Sequence, residues 1–358
     1  MFISRVVVSL CIATAPAFAV AQNTAVQYQL GTANQTWLQQ DGGVGNLSLQ
    51  FQHGPSNLSQ TTQTGDYNQA HVRQRSSFSE AQVTQNGNYN QTRIYQGGTD
   101  WPMKEGGSDW SAEVVQLGNA NQVALQQDEG FGSRAYLHQE GDRNVHQVRQ
   151  DGYPNRLEVS SAGDDNHVVV NQIDGFGISR VTQLGDAHQV SIEQWVFPNS
   201  GTVEIAQHGV ANQASIRQKA LWRPVGTLVL EQVGSSNLMA IYHGEGAYKF
   251  RFIQEGEGNR LDAVQSGPIL RFDGHSTGNR NQVNVVQIYN DAELTISQLG
   301  NDNSIETEQY DLHSKSASIE QIGNFNHAVL SQTAGFTSNQ LTTITQQGNG
   351  NLATALQQ

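Results

Sequence analysis

The sequence predicts an all-β chain, a cross-β β-solenoid of about 14 stacked strand-turn-strand rungs. Three observations predict it. The frame Q-x-G-x-x-N-x5-Q recurs along the chain in nearly constant phase. Within each copy, apolar and polar residues alternate with period two, as in a half-buried strand. Charged residues make up only 14 % of the 358, against roughly 25 % in ordinary globular domains; Gln, Asn, Ser, Thr and Gly fill the difference. Such a composition also suits disordered polar sequence, but the strict spacing argues for ordered stacking.

In chain order, the first element is MFISRVVVSLCIATAPAFAVA, residues 1–21, which reads as a cleaved secretory signal peptide. Arg5 supplies the positive start, Val6–Ala15 the apolar core, and Ala17-Phe18-Ala19 or Ala19-Val20-Ala21 the small-residue cleavage site. The single cysteine, Cys11, lies inside it, so the remainder, 22–358, contains no disulfide-forming residue. That remainder reads as one repeat array.

Its clearest copy is Gln116–Gln127, QLGNANQVALQQ. Gln116 closes one strand, Gly118 opens a tight turn, Asn121 starts the next strand and Gln127 ends it. The frame returns in Gln85–Gln96, Gln183–Gln194, Gln207–Gln218, Gln298–Gln309, Gln321–Gln332 and Gln346–Gln357. Marking the Gln-type residue that ends each strand gives 29 anchors from Gln29 to Gln357, with Ser161, His243 and Ser276 replacing Gln. Every second interval carries the turn glycine, at Gly42, Gly65, Gly87, Gly118, Gly141, Gly163, Gly185, Gly209, Gly234, Gly256, Gly278, Gly300, Gly323 and Gly348. These glycines are expected to supply a positive φ, and the Asn to tolerate unusual turn geometry.

Alternation then assigns the interior. Asn121/Val123/Leu125/Gln127, His188/Val190/Ile192/Gln194 and Asn281/Val283/Val285/Gln287 point inward after the turn, and Leu228/Leu230/Gln232 and Phe250/Phe252/Gln254 before it. Each rung is expected to offer about four apolar side chains to the interior. A lone rung cannot offset the entropy of ordering itself, so stacking must supply the balance. Buried amides suit stacking because each can donate to the copy above and accept from the copy below. The candidate self-assembly ladder is therefore Gln85, Asn90, Gln96, Gln116, Asn121, Gln127, Gln298, Asn303, Gln309, Gln321, Asn326, Gln332, Gln346, Asn351 and Gln357.

Variable material falls between motif turns. Residues 97–110, with two of the five Trp, read as a surface loop, and Trp195–Pro198 and Ala220–Pro224 as smaller bulges. Acidic residues such as Asp142, Asp164, Asp186, Glu255 and Asp302 fall mainly in turns, where they suit gatekeepers against sheet aggregation better than catalysts. No enzyme, cofactor or metal site is expected. DGGVGN near Gly42 and GGTD near Gly97 approach a calcium-binding nonapeptide but do not recur, and no His pair repeats at ligand spacing. A net charge of −13 argues against nucleic acid as a partner.

These residues resemble the curlin repeat of curli functional-amyloid subunits of Gram-negative bacteria, S-x5-Q-x-G-x-G-N-x-A-x3-Q. The likeness runs over Gln29–Gln357: Gln, first Gly, Asn and last Gln match in nearly all rungs, and Ala at Ala70, Ala214, Ala328 and Ala353. The second turn glycine survives at Gly258 and Gly350 but is replaced by Tyr67, Tyr89, Ala120, Arg143, Asp165 or Phe325 elsewhere, and the leading Ser is rare, Ser79 being one match. The resemblance implies passage through the periplasm and an outer-membrane secretion channel, self-assembly into extracellular, cell-surface amyloid fibres with a nucleator subunit, and a role in adhesion and biofilm matrix. The alternatives are a minor or nucleating subunit, or a monomeric secreted β-solenoid adhesin.

Overall fold

A computed structural model describes residues 22–97, 107–152, 154–173, 175–196, 201–220, 226–244, 246–267, 269–288, 291–310, 314–333 and 340–357. The predicted signal peptide lies outside them, as do most of the 97–110 insertion and of the two bulges. The described residues form 29 strands and no helix, and each of the 29 predicted anchors lies on its own strand. The fold is an all-β, parallel β-solenoid, divided into two compact units, Met1–Ile173 and Asp174–Gln358.

In the first unit one sheet holds the odd strands β1 (Thr24–Leu30), β3 (Leu47–His53), β5 (Gln69–Arg75), β7 (Gln91–Gln96), β9 (Gln122–Gly130), β11 (Val145–Gly152) and β13 (His167–Ile173). The other holds the even strands β2 (Gln35–Asp41), β4 (Leu58–Thr64), β6 (Glu80–Asn86), β8 (Ser111–Leu117), β10 (Arg134–Glu140) and β12 (Arg156–Ala162). Every pairing is parallel, and the two strands of one rung never pair with each other; they join opposite sheets. Register follows the anchors. Gln29 lies opposite Gln52, and Gln85 opposite Gln116 even though the insertion stands between them.

The second unit repeats the plan. Its even strands are β14 (Ile178–Asp186), β16 (Gly201–Val210), β18 (Gly226–Ser235), β20 (Ala247–Glu257), β22 (Ile269–Thr277), β24 (Asp291–Leu299), β26 (Lys315–Ile322) and β28 (Gln340–Gln347). Its odd strands are β15 (Gln189–Val196), β17 (Gln213–Ala220), β19 (Leu238–His243), β21 (Arg260–Ser266), β23 (Gln282–Ile288), β25 (Ser304–Tyr310), β27 (His327–Thr333) and β29 (Leu352–Gln357).

Period-two alternation places Val123, Leu125, Val190, Ile192, Leu228, Leu230, Val283 and Val285 in the interior. Phe250 and Phe272 stack in register and meet edge-on, centroids 4.7 Å apart. Phe252 fits because Gly274, its register partner, has no side chain: a Cβ there would lie 2.7 Å from the ring. The expectation of about four apolar side chains per rung fails at β3 and β4. Their interior residues are Ser48, Gln50, Ser59 and Thr61, all buried. Gln50 Nε2 donates to Thr61 Oγ1 at 2.9 Å and Gln50 Oε1 accepts from Gln27 Nε2 at 2.9 Å, so the amide is paired inside the unit. Trp110, grouped by sequence with the surface insertion, is 1 % exposed. It occupies the position held by Ser79 and Ser133 in the neighbouring rungs, and Gly107 leaves room for the indole: a Cβ there would lie 2.2 Å from Trp110 Cζ2.

Candidate functional site

Two amide ladders line the solenoid interior, and the sequence-predicted residues build both. In the odd sheet of the first unit the Nε2 of Gln29, Gln52, Gln74, Gln96 and Gln127 each donates to the Oε1 of the next anchor, at 2.8–2.9 Å. Gln40, Gln63, Gln85 and Gln116 do the same in the even sheet. In the second unit the chain runs through Gln298, Gln321 and Gln346 at 3.0 and 2.8 Å, and through Gln287, Gln309, Gln332 and Gln357 at 2.7–2.8 Å. All donate toward the higher residue number, so each ladder is a directional chain of amide dipoles, in which neighbouring bonds polarise one another. The same nitrogen also reaches across the interior. Gln85 donates to Gln69 O at 3.0 Å, Gln96 to Glu80 O at 2.9 Å and Gln321 to Ser304 O at 3.1 Å, which ties the two sheets together.

The Asn ladder fixes the turns. Asn90 Nδ2 donates to Gly118 O, Asn121 Nδ2 to Gly141 O and Asn144 Nδ2 to Gly163 O, each at 2.7 Å. Asn303 and Asn326 donate to Gly323 O and Gly348 O at 2.8 Å. Each Asn Oδ1 accepts the backbone N–H of the next Asn, as from Asn121 to Asn90, Asn326 to Asn303 and Asn351 to Asn326, at 3.0 Å. The Asn was expected to tolerate unusual backbone geometry; it instead caps the turn of the following rung, and the left-handed φ belongs to the residue before it. There Tyr89, Ala120, Arg143, Asp165 and Phe325 sit at φ 56–59°.

This explains which glycine of the curlin pattern is kept. At φ 114° Gly118 occupies a region closed to residues with a side chain, and a Cβ would lie 2.1 Å from Gly141 O in the next rung. Gly87, Gly141, Gly163, Gly185, Gly209, Gly300, Gly323 and Gly348 share that conformation, at φ 101–124°. Near φ 57° the left-handed well is open to any L-residue at a cost of about 1–2 kcal/mol, so the second position varies.

Where the ladder residue changes, the interior adapts. Ser161 stands in for Gln and frees space that His146 fills, its Nε2 2.8 Å from Ser161 Oγ. Burial pushes the His146 imidazole down to about 3, helped by His138 and His167. His243 replaces another Gln and packs 5.2 Å from the Phe250 ring; burial lowers it to about 3, with the neighbouring Gln265 side chain acting weakly in the opposite sense. Beside it Gln218 has no side-chain partner among the described residues, so the Gln ladder is interrupted there. His188 replaces Asn and accepts the Asn212 N–H at Nδ1, 3.2 Å, its proton affinity lowered first by burial. Sequence reasoning identified His188 and His243 as amide substitutes but missed His146; the loss of Gln at Ser161 was the available signal. It also missed Asp128, 4 % exposed just after Gln127, whose carboxyl burial pushes up to about 6 against a hydrogen bond from Gln126.

Among the described residues no group of three or more His, Cys, Asp or Glu converges as metal ligands do. Neither the protein-family models nor the curated proteins compared with the chain give a match.

Proposed function

We propose that this chain is a secreted structural subunit that stacks head to tail into extracellular cross-β fibres, serving adhesion and biofilm matrix. The observation that carries this reading is the direction of the Gln ladders. Gln29 and Gln40 donate onward and present Oε1 acceptors with no partner among the described residues, whereas Gln357 accepts from Gln332, gives one Nε2 hydrogen to Leu341 O at 3.1 Å and presents the other. Donors at one end and acceptors at the other are complementary between two copies. The strand edges support the same geometry: among the described residues β1 pairs in a strand ladder only with β3, and β29 only with β27. An unpaired edge templates the next chain. The signal-like segment 1–21, an outer-membrane secretion channel and a nucleator subunit complete the reading by resemblance to the curlin repeat.

Purified residues 22–358 are expected to form thioflavin-positive fibres after a lag that preformed seeds remove. Fibre diffraction is expected to show the strand spacing of about 4.7–4.8 Å along the fibre axis. A monomer that persists at high concentration in the presence of seeds would sink the reading and leave a monomeric adhesin in its place.

A further inference from the structure

The first four turns of the solenoid, β1 to β8, carry opposite charge on their two outward faces. Strands β1, β3, β5 and β7 contain Arg73, Arg75 and Arg93, with His53 and His71, and no Asp or Glu. Strands β2, β4, β6 and β8 contain Asp41, Glu80 and Glu113, and no Arg, Lys or His. All six charged side chains occupy outward positions of the period-two pattern, and none forms an ion pair among the described residues. Farther along, charges on successive rungs neutralise one another within the chain: Arg143 with Asp165 and Arg280 with Asp302 at 2.7 Å, and Arg180 with Glu204 at 3.1 Å. The early turns are thus the place where like charges gather on one sheet and their complements on the other.

Both faces also offer contact area. The odd face carries Tyr28, 43 % exposed, tilted against Phe51 at 6.4 Å, with the Arg73 guanidinium 5.5 Å from the Tyr95 ring centre. A cleft of about 370 Å³ runs among Tyr28, Phe51, His53, His71, Arg73 and Arg75. The even face is a flat field of Gln60, Thr62, Gln82 and Thr84, with Trp37 48 % exposed.

We propose that the odd face of these turns docks on the even face of a second copy of this chain, so that fibres associate side by side. This rests on the fibre reading above. The contact is heterologous, because each copy presents one face of each sign; it does not close on itself and can continue from filament to filament. Its size sets its strength. Four strands at ~4.8 Å and seven residues at ~3.3 Å make a face of roughly 440 Å², so one contact buries about 900 Å² in all. That is below the roughly 1,200 Å² of a stable pair. Single molecules therefore stay apart, while filaments, which repeat the contact along their length, adhere through many weak sites. An acidic polymer binding the odd face alone is the competing occupant, and it would not need the acidic residues of the even face.

The test uses preformed filaments of residues 22–358 grown from wild-type seeds, counted side by side in negative stain. Wild-type filaments are expected to pair at low salt and to separate at about 1 M salt, where charges are screened within ~3 Å. Arg73→Glu/Arg75→Glu/Arg93→Glu filaments and Asp41→Lys/Glu80→Lys/Glu113→Lys filaments are each expected to remain single, and to pair when mixed. A chain with all six changes is expected to pair with itself again, which guards against misfolding of either triple variant. Wild-type filaments that stay single at low salt, triple variants that pair as wild type does, or a mixture that stays single, would each overturn the docking and leave axial growth untouched. Absence of any wild-type filament would remove the fibre reading and this inference together.

Discussion

The turns from β3 to β6 and those from β18 to β24 follow one path around different contents. In the first, Ser48, Gln50, Ser59 and Thr61 are buried beside Ala70, Val72, Ala81 and Val83. On the even strands of the second, Leu228, Leu230, Phe250, Phe252, Phe272, Leu294 and Ile296 hold the places that Ser59, Thr61, Ala81 and Val83 hold in the first, with Gly274 making room for Phe252. The turn clamps hardly differ: Asn46 and Asn68 reach the next glycine carbonyl at 2.6 and 2.7 Å, Asn237 and Asn259 at 2.9 and 2.7 Å. The path of the chain is therefore set by amides and turns, which the two regions share. The filling decides how strongly each rung is held, since a fully buried Leu or Phe adds about 1.5–3 kcal/mol that Ser does not.

The sharpest way to break this comparison is to damage the shared part in each region. Gly65 sits at φ 99° with a Cβ position 2.2 Å from Gly87 O, and Gly256 at φ 117° with one 2.0 Å from Gly278 O. Gly65→Ala and Gly256→Ala are each expected to destabilise their rung by about 4 kcal/mol or more, the range reserved for strained or clashing backbone. Hydrogen exchange of the flanking strand amides measures it. Loss of protection in one region with none in the other would show that the filling, and not the turn, dictates the path.

The filling itself is expected to matter unequally. Phe252→Ala removes a ring packed against Phe272, centroids 5.5 Å apart, and is expected to cost about 3–5 kcal/mol. Thr61→Val leaves Gln50 Nε2 without its Oγ1 acceptor and is expected to cost about 1–3 kcal/mol. Ser59→Ala is expected to be neutral or stabilising, because the Ser59 hydroxyl is buried without a partner among the described residues. Denaturant midpoints of the soluble chain compare the three; a costly Ser59→Ala would contradict the account of the polar interior.

Most of the fold was legible because its determinants repeat. Any one Gln, Gly or Asn is a weak signal, but their phase gave every strand, its register and its inward face, and Gln85, Asn121 and Gln332 stand where that phase put them. What escaped was pairwise. Gln50 and Thr61 alternate correctly and are polar, so only their mutual hydrogen bond reveals why they can be buried. His146 needs Ser161, and Phe252 needs Gly274, across rungs that are remote in sequence. Trp110 groups by sequence with the surface insertion because nothing local distinguishes a buried Trp at its end from a loop residue. The two outward charge fields were likewise invisible until alternate strands were sorted into sheets.

Acid separates the regions by another route. His146 and His243 are held neutral in the fold near 3, below the ordinary 6.5. The unfolded chain binds protons first, so their stability contribution is complete above pH 6.5 and is lost as pH falls from 6.5 through about 3. At pH 4.5 each is expected to weaken its rung by roughly 2–3 kcal/mol. Asp128, raised to about 6, acts in the opposite sense: its penalty is absent below pH 3.8 and grows as pH rises through about 6. Turns β3 to β6 bury no histidine fully; His71 on β5 is half-buried, its proton affinity lowered first by burial and then by Arg93. Hydrogen exchange at pH 4.5 and 7.5, corrected for intrinsic rates, is expected to show β11 and β19 loosening while β4 and β6 hold. Equal loosening everywhere would assign the acid effect to net charge instead. His146→Gln and His243→Gln are expected to flatten the response locally.

The smallest expected effects lie at the residue before each Asn, where the two regions differ in what a left-handed side chain gains. Tyr67 and Phe325 have nearly the same backbone, φ 54° and 57°, and both rings are exposed. Tyr67 stacks on Tyr89 of the next rung, 5.2 Å apart and 7° from parallel. Phe325, 65 % exposed, makes no ring contact among the described residues. Glycine at either site would relieve about 1–2 kcal/mol of left-handed strain, offset by up to about 1 kcal/mol of additional unfolded-state freedom. At Tyr67 the lost stacking, about 0.5–1.5 kcal/mol, tips the balance, so Tyr67→Gly is expected to be neutral or slightly destabilising. Phe325→Gly has no such loss and is expected to raise stability by a few tenths to 1 kcal/mol. Denaturant midpoints of the two variants, measured side by side, give the sign of each. If Phe325→Gly is the worse of the two, the exposed ring contributes something its surroundings do not reveal, and the tolerance of this position for large residues would need a cause other than an accessible left-handed well.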